Sequence, residues 1–349
     1  MIKLTFECEI ITPMFMYGGD GRTLELRPSE FKGMLRFWWR ALHPDLSLKE
    51  LKEKENEIFG STNRKSGFRI VIKPINEIRN TNKNIKHIKF DDKQISLSYL
   101  FYSMFLGDNK DKEHFSPNTT FEIIFYFKDK NQVKDILQAF WLLMYLGGLG
   151  SRNRRGAGSF IYNRIIDPDN ILSLLYFKFR NNFKNINDLK EYLISNLISF
   201  GIYPSKEIQD YINFKGFELF LGKRTSRNIW KALQYTQEIL KEYEDKNCKK
   251  AILGLPRKNI KILKLNKNSK LDVKRSGSPL FFKVFRLNQN EYVLLALLFY
   301  KELLPNGFSI DICERTNKDL KEYMKDRYKN LSKYLVSKSL EGIIGVRNG

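Results

Sequence analysis

The chain opens with a strict alternation. Ile2, Leu4, Phe6, Cys8 and Ile10 fall on one side, and Lys3, Thr5, Glu7 and Glu9 on the other. That is the period of a half-buried strand. After a turn holding Gly18, Gly19 and Gly21, Pro28 and Ser29 begin a helical spacing that aligns Phe31, Leu35, Trp38 and Leu42. Phe68 to Lys73 and Thr119 to Lys128 read as further strands, the second alternating Phe121, Ile123, Phe125 and Phe127. Between them, residues 76–95 read as a polar loop or insertion. Val133, Ile136, Leu137, Phe140, Trp141, Met144 and Tyr145 then keep amphipathic helical spacing without a miss, and Ser159 to Ile166 supplies a strand. Strand, helix, two strands, helix, strand is the order of a ferredoxin-like βαββαβ unit.

Pro168 marks a boundary, after which an apolar run, Ile171 to Phe179, restarts the pattern. Helices are predicted near 187–199, 227–244 and Leu320 to Leu340. A short strand is predicted over Ala251 to Leu255, and a hairpin pairs Leu280–Leu287 with Tyr292–Tyr300 across Asn288, Gln289 and Asn290. The expected fold class is α+β, two tandem ferredoxin-like (RRM-like) βαββαβ domains with insertions. The expected division is an N-terminal unit, 1–166, and a C-terminal unit, 167–349, which suits the 349-residue length.

Charge adds a partner. Lys plus Arg number 61 against 39 acids, a formal net charge of +22, and the pI is near 9.7, in the range of nucleic-acid-binding domains. The excess is spread along both halves and is not a basic tail, so lysine-rich composition competes with RNA or DNA binding as its explanation. With 42% hydrophobic residues the chain can bury a sizeable core. Cys8, Cys248 and Cys313 are too few and too scattered for a disulfide framework, and the longest apolar run, Tyr292 to Tyr300, is too short to span a bilayer. A cytoplasmic protein without a membrane partner is expected.

Gly147 to Phe160 reads GGLGSRNRRGAGSF. Gly147, Gly148, Gly150, Gly156 and Gly158 permit close backbone approach, while Arg152, Arg154 and Arg155 supply forked cationic donors. Such a segment serves either as a loop laid against phosphates or as a glycine-rich helix stop with solvated arginines. On the helix 28–42, Lys32, Arg36 and Arg40 form a cationic stripe that reads as an RNA track or a solvated face. Trp39 is a candidate base-stacking platform or a core residue.

Catalytic chemistry finds little support. Metal-free RNA cleavage calls for a positioned acid and base, and the chain has only His43, His87 and His114. His43 follows the basic helix, but Pro44 beside it marks a helix end. No CxxC, HExxH, P-loop or complete GxGxxG is present. No metal, no cofactor and no catalytic residue is expected.

Three sets of motifs together resemble one family. They are LRPSEFKGMLRFWWRAL (Leu26 to Leu42), the glycine-rich run, and the pair GLPRK (Gly254 to Lys258) with KRSGSPLFF (Lys274 to Phe282). The family is the repeat-associated mysterious protein (RAMP) superfamily of CRISPR systems, and the chain is most similar to the first-numbered subunit of the type III-B Cmr effector complex. The resemblance implies a non-catalytic subunit that holds the 3′ part of the CRISPR RNA and the 5′ part of the target RNA, against other RAMP subunits of the Cmr complex. By position it implies RNA contacts at the glycine loop and the basic helix, and at Arg257, Lys274 and Arg275. A metal-independent CRISPR RNA-processing endoribonuclease of the same superfamily is the alternative.

Overall fold

A computed structural model of the chain describes residues 1–75, 85–90, 93–105, 112–245, 253, 261–264, 276–302, 304, 308–311 and 320–344. The first half holds β1 (Ile2–Ile10), α1 (Pro28–Leu42), α2 (Leu48–Phe59), β2 (Phe68–Pro74), β3 (His87–Phe90), β4 (Lys93–Ser96), β5 (Thr120–Phe127), α3 (Val133–Tyr145) and β6 (Phe160–Ile166). Next come α4 (Ile186–Ser199), β7 (Phe217–Gly222), α5 (Ile229–Asp245), β8 (Lys261–Lys264), β9 (Leu280–Asn288), β10 (Glu291–Phe299), β11 (Phe308–Asp311), α6 (Leu320–Ser337) and β12 (Leu340–Ile344).

Two four-stranded antiparallel sheets dominate, ordered β2-β5-β1-β6 and β12-β7-β10-β9. Counted within each unit, both sheets have strand 1 and strand 3 at the centre, with helices in the crossovers between the first and second and between the third and fourth strands. The ferredoxin-like α+β fold is therefore present twice. Small β3-β4 and β11-β8 ribbons are added.

The side-chain period explains the layering. On β1, Leu4, Phe6, Cys8 and Ile10 are fully buried beneath α1 and α3, where Phe31 and Phe140 meet sheet aromatics edge-on. The same two helices turn Phe37, Trp38 and Tyr145 the other way, onto Phe281, Phe299 and Phe285 of the second sheet. Phe282, Val284, Leu294, Ala296 and Leu298 on its opposite face pack with Leu233, Met324, Tyr328 and Leu331 of α5 and α6. The result is sheet, helices, sheet, helices. Because it is covered on both sides, the second sheet reads as near-continuous apolar runs where β1 alternates.

Several elements differ from expectation. α2 has a capping box, Ser47 with Glu50, a local signal the hydrophobic spacing does not carry. The polar insertion holds the β3-β4 hairpin. β7 is an addition to the expected strands, and the last helix stops at Ser337, with Ser339 at φ +53° turning the chain into β12. The strand expected over 251–255 lies outside the described residues, except Leu253. Among the described residues no helix is long and apolar enough to cross a membrane.

Candidate nucleic-acid interface

The glycine-rich segment connects the end of α3 to β6 and folds back on the Pro13–Phe15 segment. Gly150 adopts φ +76°, and a Cβ there would lie 2.5 Å from the Phe15 carbonyl oxygen; Gly158 adopts φ +65°, and its Cβ would lie 1.9 Å from the Leu149 oxygen. These glycines permit close approach of protein backbone to protein backbone. The N–H groups follow suit. Leu149 donates to Gly158 O (3.0 Å), Ser151 to Phe15 O (2.8 Å), Gly158 to Pro13 O (2.9 Å), and Gly147, Arg155, Gly156 and Ala157 also donate to protein carbonyls. The expectation that the glycines lie bare against phosphates is corrected at Gly147, Gly148, Gly156 and Gly158, which are buried and spent on packing. The accessible part is the tip, Gly150 to Arg155.

The three arginines of the tip divide. Arg154 turns inward, donates from Nη1 to Ser278 O (2.6 Å) and lies 4.6 Å from the Phe281 ring centroid, fastening the loop to the start of β9, an edge strand of the second sheet. Arg152, at φ +64°, donates to Ser103 Oγ (2.8 Å) and stacks 4.6 Å over Tyr102, a ring 52% exposed. Arg155 bridges to Phe282 through its backbone and stays part-exposed. Two lysines that no sequence motif marks lie where the loop meets the second sheet. Lys301 donates to Ser276 Oγ (3.0 Å), and burial, with Arg154 nearby, pulls its pKa down to about 8. Lys283, 2% exposed, donates to Gly147 O (2.8 Å), and burial pulls it down to about 7. The signal that could have found Lys283 is a lone lysine inside the apolar run Leu280–Leu287.

The cationic stripe of α1 is corrected as an open track. Arg36 and Arg40 both meet Glu55 Oε1 of α2 at 3.0 Å, and Arg36 also donates to Gly60 O (2.7 Å), capping the C-terminal end of α2. Lys32 lies half-buried over the Phe68 ring at 5.3 Å, its pKa lowered first by burial and then by Arg36. Glu55→Ala is expected to cost about 2 kcal/mol by leaving two cations unpaired, and Arg40→Ala under about 1 kcal/mol, since Arg36 keeps the carboxylate. Urea unfolding of both variants checks this, and the reverse ranking would show that α2 is held by other contacts. Trp39 is also corrected. It is 1% exposed, against His43 (4.3 Å) and Phe59 (6.2 Å), so base stacking is closed to it here.

Arg257, Lys274 and Arg275 lie outside the described residues. His43 caps α1, its Nδ1 2.7 Å from Trp39 O, while His114 is buried beside Phe15 and its pKa falls to about 4 through burial. Among the described residues no three His, Cys, Asp or Glu side chains gather where a metal ion would sit.

A family model described as the RAMP superfamily matches residues 7–161. The CRISPR system Cmr subunit Cmr1-1 of Pyrococcus furiosus is 27% identical over 318 residues, covering 86% of this chain and 88% of that one. Cmr1-2 of the same organism is 32% identical over 178 residues, 46% of this chain and 94% of that one. The crystal structure of Pyrococcus furiosus Cmr1 in its apo form superposes with a TM-score of 0.67 at 25% identity, covering 99% of both chains. A chain in the cryo-EM structure of the type III-B Cmr-beta bound to cognate target RNA gives a TM-score of 0.59 over 96% of this chain and 99% of that one. At 15% identity, that second likeness is one of fold.

Proposed function

This chain belongs to the RAMP superfamily and, within it, to the Cmr1 family of CRISPR-system Cmr subunits, and we propose that it is a non-catalytic, RNA-binding subunit of a cytoplasmic type III-B effector complex. It would hold the 3′ part of the CRISPR RNA and the 5′ part of the paired target RNA, against neighbouring RAMP subunits. One observation carries the RNA contact. The tip of the glycine loop presents Arg152, stacked on the exposed Tyr102 ring, next to part-exposed Arg155, at the seam where the two sheets' units meet. Arginine beside an exposed aromatic is the pairing that holds phosphates and stacks bases without a sequence code. The division into units 1–166 and 167–349 belongs to the same proposal, with the loop closing the first unit.

Arg36 and Arg40 converge on the Glu55 carboxylate of α2, whereas Arg152 and Arg155 stand part-exposed at the loop tip, so RNA contact is assigned first to these two. Replacing both with Ala is expected to weaken binding of unrelated RNAs about equally and to lower the slope of log K against log salt by about 0.7 for each phosphate that the variant no longer neutralises. An unchanged slope would remove the loop tip from the interface. Incubating the purified chain with CRISPR repeat RNA in EDTA tests the nuclease alternative: intact RNA is expected, and site-specific cutting would overturn the non-catalytic assignment.

A further inference from the structure

The second unit carries a pocket lined by none of the glycine-loop residues. It encloses about 330 Å³ and is lined by Lys206, Tyr300, Lys325, Lys329, Ser332 and Lys333. Four of these come from α6, spaced so that Lys325, Lys329 and Lys333 fall on one stripe about 12 Å long. The stripe is held outward because Met324, Tyr328, Leu331 and Leu335 of the same helix are in the core. Lys206 arrives from the connection before β7, where Ser205 N donates to Lys215 O (2.6 Å) and Gln209 N to Tyr300 O (2.8 Å). The floor is built. Tyr300, 4% exposed, donates its hydroxyl to Glu218 (2.7 Å), and Glu218, 7% exposed, lies 3.6 Å from the Lys206 ammonium.

Charge is left over. Glu218 is the carboxylate at this site and it is taken by Lys206, while among the described residues Lys325, Lys329 and Lys333 have no ion-pair partner. Among the described residues the four lysines lining the pocket outnumber the carboxylate set against them, so positive charge is left facing a concave space of the size small ligands occupy. The donors are all lysines. Compact ammonium charges suit phosphoryl oxygens, whereas the planar fork that recognises a carboxylate bidentately needs arginine.

We infer that this pocket binds a multiply charged phosphoryl group, carried by a free nucleotide polyphosphate or by the phosphorylated end of an RNA chain. It stands on residues separate from the loop tip and does not depend on the function proposed there.

The test uses the full chain and inorganic tripolyphosphate, titrated by calorimetry at about 0.15 M salt, where loosely held ions are screened. Saturable binding of one ion per chain is expected. The triple variant Lys325→Gln, Lys329→Gln, Lys333→Gln should bind at least about tenfold more weakly. The corresponding triple change to Arg, which keeps the charge, should stay within about threefold of the native chain. Arg152→Ala with Arg155→Ala should leave tripolyphosphate binding unchanged, so a failed loop assignment would show only in the RNA salt slope. A second arm compares short RNAs with and without a terminal phosphate: a preference for the phosphorylated end that the Gln variant loses identifies RNA as the source, and no preference identifies the free nucleotide. The inference is overturned if the native chain does not saturate with tripolyphosphate, or if the Gln variant binds it like the native chain.

Discussion

Lys283→Met is expected to stabilise the protein at pH 7 by roughly 3 kcal/mol and to flatten its stability between pH 7 and 10. The ammonium of Lys283 is buried between the glycine loop and the second sheet, with the Gly147 carbonyl as its hydrogen-bond partner and the Phe160 ring 5.9 Å away. Desolvation pulls its pKa from the usual 10.5 to about 7. Between those values the unfolded chain holds a proton that the folded chain has released, so stability rises with pH across that window. The cost of burying the amine is absent above pH 10.5, grows as pH falls, and is complete below about 7. Methionine matches the length and removes the charge, giving up only the bond to Gly147 O. Lys301, pulled down to about 8, leaves a smaller residual slope in the variant. Urea unfolding at pH 7 and pH 9.5 decides the matter. A variant less stable than the native chain at pH 7, with the native pH slope intact, would mean that the amine is well solvated or neutralised.

Gly158→Ala is expected to remove at least about 4 kcal/mol and to leave little folded protein. Part of that is the φ of +65°, costing an L-residue about 1–2 kcal/mol. The larger part is steric, because the added methyl would sit 1.9 Å from the Leu149 oxygen, a backbone atom that cannot swing aside as the end of a flexible side chain would. Relieving the overlap breaks the Leu149 N to Gly158 O and Gly158 N to Pro13 O hydrogen bonds that close the loop. Gly21 is the control. It has the same φ of +65° but nothing within 4 Å of its Cβ position, so Gly21→Ala should cost only about 1 kcal/mol. Thermal or urea unfolding of the pair separates conformational strain from packing, and equal losses would show that the loop has room to shift.

The elements legible in the sequence were those with a clear period or a clear turn. β1, β5, α1 and α3 announce themselves because apolar side chains recur every second or every third to fourth residue, and the β9-β10 hairpin because two long apolar runs flank the turn at Asn288 to Asn290. β7 is hidden because all six of its residues are buried, and a short apolar run without alternation has no period to detect. For the candidate site, the sequence located the loop but misjudged its glycines. Glycine content reports permission for close approach, and whether a phosphate or a protein carbonyl takes it up depends on what lies opposite, here Pro13 and Phe15.

By itself, then, the sequence determined the element order of the first βαββαβ unit, the cationic excess and the glycine-rich turn after α3, whereas β7 and β12 of the second unit emerged only from the fold. Only the tertiary structure decided which of those charges remain available. Arg36 and Arg40 are occupied because α2 brings Glu55 against α1. Arg154 is occupied because β9 brings Ser278 and Phe281 to the loop, and Trp39 is withdrawn because Phe59 closes over it. Lys206 joins Lys325, Lys329 and Lys333 only because the connection into β7 runs beside α6. The physical reason is common to all of them: periodicity records which face of an element is buried, whereas ion pairing and desolvation depend on groups far apart in the chain that only packing brings within a few ångströms.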